Sequence, residues 1–146
     1  MKLELVNRSG RAVPRAFLTE WVRAIDRAAA KKIPARRYRG KSFVIAFVDE
    51  KEMRRLNSDF RGKDKTTDVL SFAGDDASAL GELAICPQVI SRQAREHGLL
   101  VREELGYMIL HGFLHLLGFD HEKTASDAKK MFALQDELFE RLRSRF

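Results

Sequence analysis

The chain has one cysteine, three prolines and one tryptophan among 146 residues. A lone thiol, Cys86, closes no internal disulfide, which fits a reducing, cytoplasmic setting and predicts a small buried apolar residue. There is no secretory leader pattern, because Met1-Lys2-Leu3-Glu4-Leu5 carries an acid and lacks an apolar stretch behind a basic start. The longest apolar run, Leu105 to Phe119, is shorter than the roughly 20 residues a membrane span needs, and two histidines interrupt it. No low-complexity tract, internal repeat or linker divides the sequence. These absences point away from a membrane partner and toward one soluble domain over residues 1–146.

What is present is an ordinary globular composition with an excess of base. Lysine and arginine number 27 against 21 acids, a formal net charge of +6. Such a surface attracts phosphate polymers, although charge of this size also serves solubility. Leu3 to Asn7 alternates as a strand. Pro14 opens a helix whose apolar face is Phe17, Leu18, Trp21, Val22, Ile25 and Ala29, running to about Lys32, with Trp21 as a core anchor. Arg36, Arg37, Arg39 and Lys41 cluster around Gly40, as a solvated loop or a phosphate-contact patch. Phe43 to Val48 is continuously apolar and suits a strand buried on both faces. Asp49 can cap a short helix with Met53 and Leu56 inward, after which Asn57 to Lys65 reads as a polar loop. Strands are predicted at Asp68–Phe72 and Leu80–Cys86, the second placed at the sheet edge nearest the central helix. Pro87 starts a helix to about His97, with Gly98 behind it; His97 reads as structural, because nothing near it has metal-ligand spacing. A final amphipathic helix from about Ser126 to Arg143 carries the stripe Met131, Leu134, Leu138 and Leu142. The order predicts an α+β domain, a small mixed sheet of about four strands covered by helices.

The chemistry concentrates in His111-Gly112-Phe113-Leu114-His115-Leu116-Leu117-Gly118-Phe119-Asp120-His121, which holds three of the four histidines. His111 and His115 fall on one face of a predicted central, buried helix over Val101–Leu117. Gly118 reads as the left-handed residue that ends it, letting His121 turn back toward the pair. Three imidazoles form a site for one Zn²⁺, which in catalytic centres keeps its fourth position for water. The spacing H-x-x-x-H-x-x-G-x-x-H is that of metzincin proteases, but Gly112 stands where they carry the general-base Glu. That substitution leaves the base unassigned and argues against a metalloprotease, the competing enzyme reading. Asp120 either orients a histidine or caps the turn. Glu104, two turns before His111 on the same face, either reaches the site or forms a surface salt bridge. A fourth protein ligand, with Cys86 and Asp120 the first candidates, would instead make the zinc structural and the protein non-catalytic.

The histidine segment resembles the H-G-x-L-H-L-x-G-Y-D-H signature of the YbeY family, with Phe119 where that family has Tyr. Arg61 to Phe72 is similar to its R-x-x-D-x-x-T-D-V-L-S-F block, and Gly81-Glu82-Leu83-Ala84-Ile85 to the strand that follows. The resemblance covers nearly the whole chain. It implies a zincin-like fold, three histidines on one zinc, and a metal-dependent, single-strand-directed endoribonuclease. It further implies a role in 3′ maturation of small-subunit ribosomal RNA and in ribosome quality control. Its partners would then be ribosomal RNA and the small subunit, with ribosomal or assembly proteins. It also implies a functional arginine at Arg61, which composition alone leaves as a surface residue. Under this reading His111 and Arg61 are the catalytic candidates.

Overall fold

In the computed structural model, which describes residues 1–145, a four-stranded sheet is backed by helices. The strands are β1 (Lys2–Asn7), β2 (Ser42–Phe47), β3 (Val69–Ala73) and β4 (Ala79–Ile85). The helices are α1 (Arg15–Ala29), α2 (Glu50–Arg61), α3 (Pro87–His97), α4 (Val101–Leu116) and α5 (Ala125–Leu142). The sheet order is β1-β2-β4-β3, with β1, β2 and β4 parallel and β3 antiparallel to β4. This is the small mixed α+β sheet that the element order implies.

The two inner strands, β2 and β4, are mostly apolar and covered on both faces, whereas the edge strand β1 alternates and exposes Lys2, Glu4 and Asn7. Phe43, Ile45, Phe47, Leu83 and Ile85 are all buried. Trp21 anchors α1 in the core and donates from Nε1 to the Gly106 carbonyl of α4 at 2.9 Å. Cys86 is buried with Val48, Met53 and Leu70 in a smaller cluster on the other side of the sheet.

Two expectations need correction. β4 is not an edge strand: it lies between β2 and β3, and its residues are buried on both faces, whereas β3 alternates and exposes Ser71 and Ala73. The edge beside α4 is therefore β3. Secondly, α2 does not stop before Asn57. Asp49 caps it as expected, its carboxylate accepting from Glu52 N at 2.8 Å, but the helix continues through the polar stretch to Arg61. Asn57 is buried and donates to the Lys65 carbonyl at 2.9 Å, so a polar residue faces inward to hold the returning chain. The stop is Gly62, whose φ of +66° suits a residue without a side chain. Arg61 thus sits in the last turn of a helix, not in a loop.

Candidate metal centre

α4 is apolar on nearly every side, which buries it between sheet and helices: Leu105, Ile109, Leu110, Phe113 and Leu114 are in the core. Its C-terminus is closed by a Schellman motif. Gly118 N donates to the His115 carbonyl at 2.9 Å, and Phe119 N to the Leu114 carbonyl at 3.1 Å, with Gly118 at φ +94°. Only a left-handed residue there turns the chain sharply enough to return His121. Asp120 Oδ1 then accepts from Glu122 N at 2.7 Å, so Asp120 caps the turn; that bond, first among its causes, lowers its carboxyl below the usual range.

The result is a convergence of the three rings. Their centroids lie 4.6 Å (His111–His115), 5.2 Å (His111–His121) and 5.0 Å (His115–His121) apart. One nitrogen of each lies within 4.8 Å of the others, and among the described residues no other histidine, cysteine or carboxylate joins the group. The Nε2 atoms of His111 and His115 are 3.1 Å apart. Two ligands about 2.0–2.1 Å from a tetrahedral ion would be about 3.3 Å apart.

The local electrostatics suit a cation. Burial, the main cause, pushes the His111 imidazole below its usual value, and its bond to Gln135 only partly opposes this. Burial lowers His115 likewise, helped by the neighbouring His111 and His121. Both rings therefore stay neutral, with lone pairs available. His111 Nδ1 donates to Gln135 Oε1 at 2.9 Å, which puts the ring proton on Nδ1 and leaves Nε2 bare. His121 Nδ1 is buried with no hydrogen-bond partner. The donor set fits a zinc-type ion.

A cavity of about 850 Å³ opens beside the trio, walled by β3, the end of α2 and the turn after α4. Arg61 lines it, its Nη2 donating to Glu122 Oε1 at 3.2 Å; the same oxygen lies 3.7 Å from His121 Nε2. Gly112 also borders it, but the reason for glycine there is the sheet. A Cβ would sit 2.6 Å from Leu83 Cδ2, a side chain that is fully buried, so Gly112 allows α4 to approach β4. A glutamate at this position would have to displace the core.

Glu104 does not reach the site. It is buried at the other end of α4, its Oε2 2.9 Å from His97 Nδ1, which makes the pair neither a metal contact nor a fully exposed bridge. His97 stands apart from the trio. Arg37, of the basic cluster, donates to the Leu117 carbonyl at the end of α4, while Arg36 and Arg39 remain exposed. Sequence reasoning missed Gln135 and Glu122. Gln135 was legible as the one polar residue interrupting the stripe of α5 between Met131 and Leu138; Glu122 left no periodic signal.

A sheet-backed helix with two imidazoles, a third returned by the next turn, and an open cavity beside them define an α+β protein built around a three-histidine candidate metal centre. The family model described as Endoribonuclease YbeY matches residues 4–143, and the chain belongs to that family. A protein of that name from Bdellovibrio bacteriovorus is 44% identical over 141 residues, 96% of this chain and 94% of the relative. One from Persephonella marina is 44% identical over 108 residues, 70% of this chain and 71% of its own. A solution structure of a Thermotoga maritima protein aligns at TM-score 0.64 with 29% identity, covering 94% of this chain and 87% of that one.

Proposed function

We propose that the protein is a zinc-dependent endoribonuclease acting on single-stranded RNA. It would serve in 3′ maturation of small-subunit ribosomal RNA and in ribosome quality control, in the cytoplasm, with the small subunit and its assembly proteins as partners. The observation that carries the reading is the set of three converging imidazoles, two of them held neutral, beside a cavity that also contains Arg61. Family membership and the basic net charge support it. Among the described residues no helix is long and apolar enough to cross a membrane.

His111, His115 and His121 would hold the ion. Bound there, Zn²⁺ supplies Lewis acidity, polarising a phosphoryl oxygen and lowering the pKa of water. Gln135 fixes the tautomer of His111. The guanidinium of Arg61 grips the scissile phosphate and stabilises the charge that develops on it. Glu122 holds that guanidinium in the cavity until the phosphate replaces the carboxylate. The side chain at Gly112 supplies nothing, which separates this centre from a protease with the same ligand spacing.

The test is cleavage of a single-stranded ribosomal RNA fragment by the purified protein. Chelation should abolish cleavage and added zinc restore it. Arg61→Glu should keep its metal and lose about 100- to 1,000-fold in rate, the scale of removing one preorganised charge donor. Equal cleavage after chelation would overturn the zinc role. RNA that is bound but never cut would leave a non-catalytic assembly factor.

A further inference from the structure

Among the described residues Phe60 is the most exposed large apolar side chain, at 65%. It immediately precedes Arg61 in the last turn of α2, and both line the cavity beside the histidines. Leu56 and Met53, one and two turns earlier on that helix face, pack inward; Phe60 overhangs the edge strand instead. Its ring meets Phe72 of β3 in a T-shaped contact, centroids 5.0 Å apart at 73°. That contact orients the ring while most of its surface stays open to solvent. Phe132, the other exposed aromatic near the site, stacks on His111 at 6.3 Å and lies tilted 5.5 Å from His121, so it is already engaged with the trio.

The geometry points to Phe60 as a base-stacking platform: it receives the unpaired base of a nucleotide flanking the phosphate held by Arg61. The inference deepens the nuclease reading and rests on it. A ring next to a guanidinium is the pairing a single-stranded polynucleotide recognises, since every base offers a π-face and every linkage an anion. A base inside a duplex stack does not reach such a ring without being turned out of the helix. The platform therefore selects single strands without reading their sequence, and Phe60 is a specificity-determining residue.

The test compares the zinc-loaded wild type with Phe60→Ala, Phe60→Leu and Phe60→Trp on a short single-stranded RNA and on the same strand annealed to its complement. Leucine keeps an apolar side chain against Phe72 but has no aromatic face. KM for the single strand should rise about tenfold in the alanine and leucine variants, the scale of one lost stacked base, with kcat little changed. Phe60→Trp should keep the wild-type KM. Its indole fluorescence should be quenched on rapid mixing with the single strand, before cleavage, and not with the duplex; Trp21 is buried and gives a constant background. Leucine matching tryptophan in KM, or an indole indifferent to single-stranded RNA, would overturn the platform and leave Phe60 as a surface for some other partner. The parent reading fails separately, if wild type cuts no RNA; quenching in Phe60→Trp still reports the stacking.

Discussion

In its first turn α4 holds Glu104, 3% exposed, with its carboxylate 2.9 Å from His97 Nδ1. In its last two turns it holds His111 and His115, their Nε2 atoms 3.1 Å apart and a third imidazole close by. At the first end an acid and a base satisfy one another, and protonation of His97 is favoured by the bond to Glu104 and then by its charge. At the second, three bases crowd together, burial works against protonating two of them, and one buried ring nitrogen has no partner. The contrast shows why spacing on a helix wheel misleads for Glu104. A buried carboxylate takes the nearest cation, and here that is on α3. The histidine cluster, by contrast, has its nearest Glu122 oxygen no closer than 3.7 Å, at His121 Nε2, and its ring lone pairs are left for a metal.

The largest test of this contrast replaces one residue at each end. His115→Ala should lose stoichiometric zinc and fall to the cleavage of chelated protein, whereas Glu104→Gln should keep both; elemental analysis beside an RNA gel reads the outcome. Loss of zinc from Glu104→Gln would show that the two ends are not independent.

A smaller effect is expected from Gln135→Leu. Removing the partner that fixes the His111 tautomer should weaken zinc affinity about 10- to 100-fold in a competition titration. Thermal stability should change little, because the acceptor lost to His111 Nδ1 is offset by removal of Gln135 Nε2, which is buried without a partner, and by a leucine that extends the stripe of α5. Unchanged affinity would remove Gln135 from the site.

The smallest effect is a difference in pH slope. His97 is raised above its ordinary 6.5, so its bond stabilises the fold fully below 6.5 and fades as pH rises through the higher folded value. His111 and His115 are lowered from 6.5, so the folded protein binds fewer protons there than the unfolded chain. Their contribution is present above 6.5 and is lost as pH falls below it. In metal-free melts, the destabilisation caused by His97→Ala should therefore shrink with rising pH. A destabilisation that grows with pH would reverse the assignment.

Local rules carried far in this chain. Pro87, Gly98 and Gly118 stop and start helices where their backbone chemistry requires it, and the spacing of His111, His115 and His121 was enough to foresee their meeting. The failures have one cause. Asn57 is polar but buried, and β4 is internal rather than an edge, because each is placed by a tertiary partner: the returning Lys65 carbonyl for Asn57, and β2 and β3 for β4. The capping role of Asp120, evenly balanced on sequence, was decided by a single backbone N–H.

From sequence alone came the elements, the helix ends at Pro87, Gly98 and Gly118 and the ligand trio, since turns, caps and i, i+4 faces are set by residues a few positions apart. Only the folded chain decided that β3 forms the open edge, that Glu104 belongs to His97, that Gln135 holds His111, and that Phe60 and Arg61 share one cavity with the histidines. All but one of those contacts join segments far apart along the chain, and the exception, Glu104 with His97, depends on how two successive helices pack, so no local preference encodes which of them will meet.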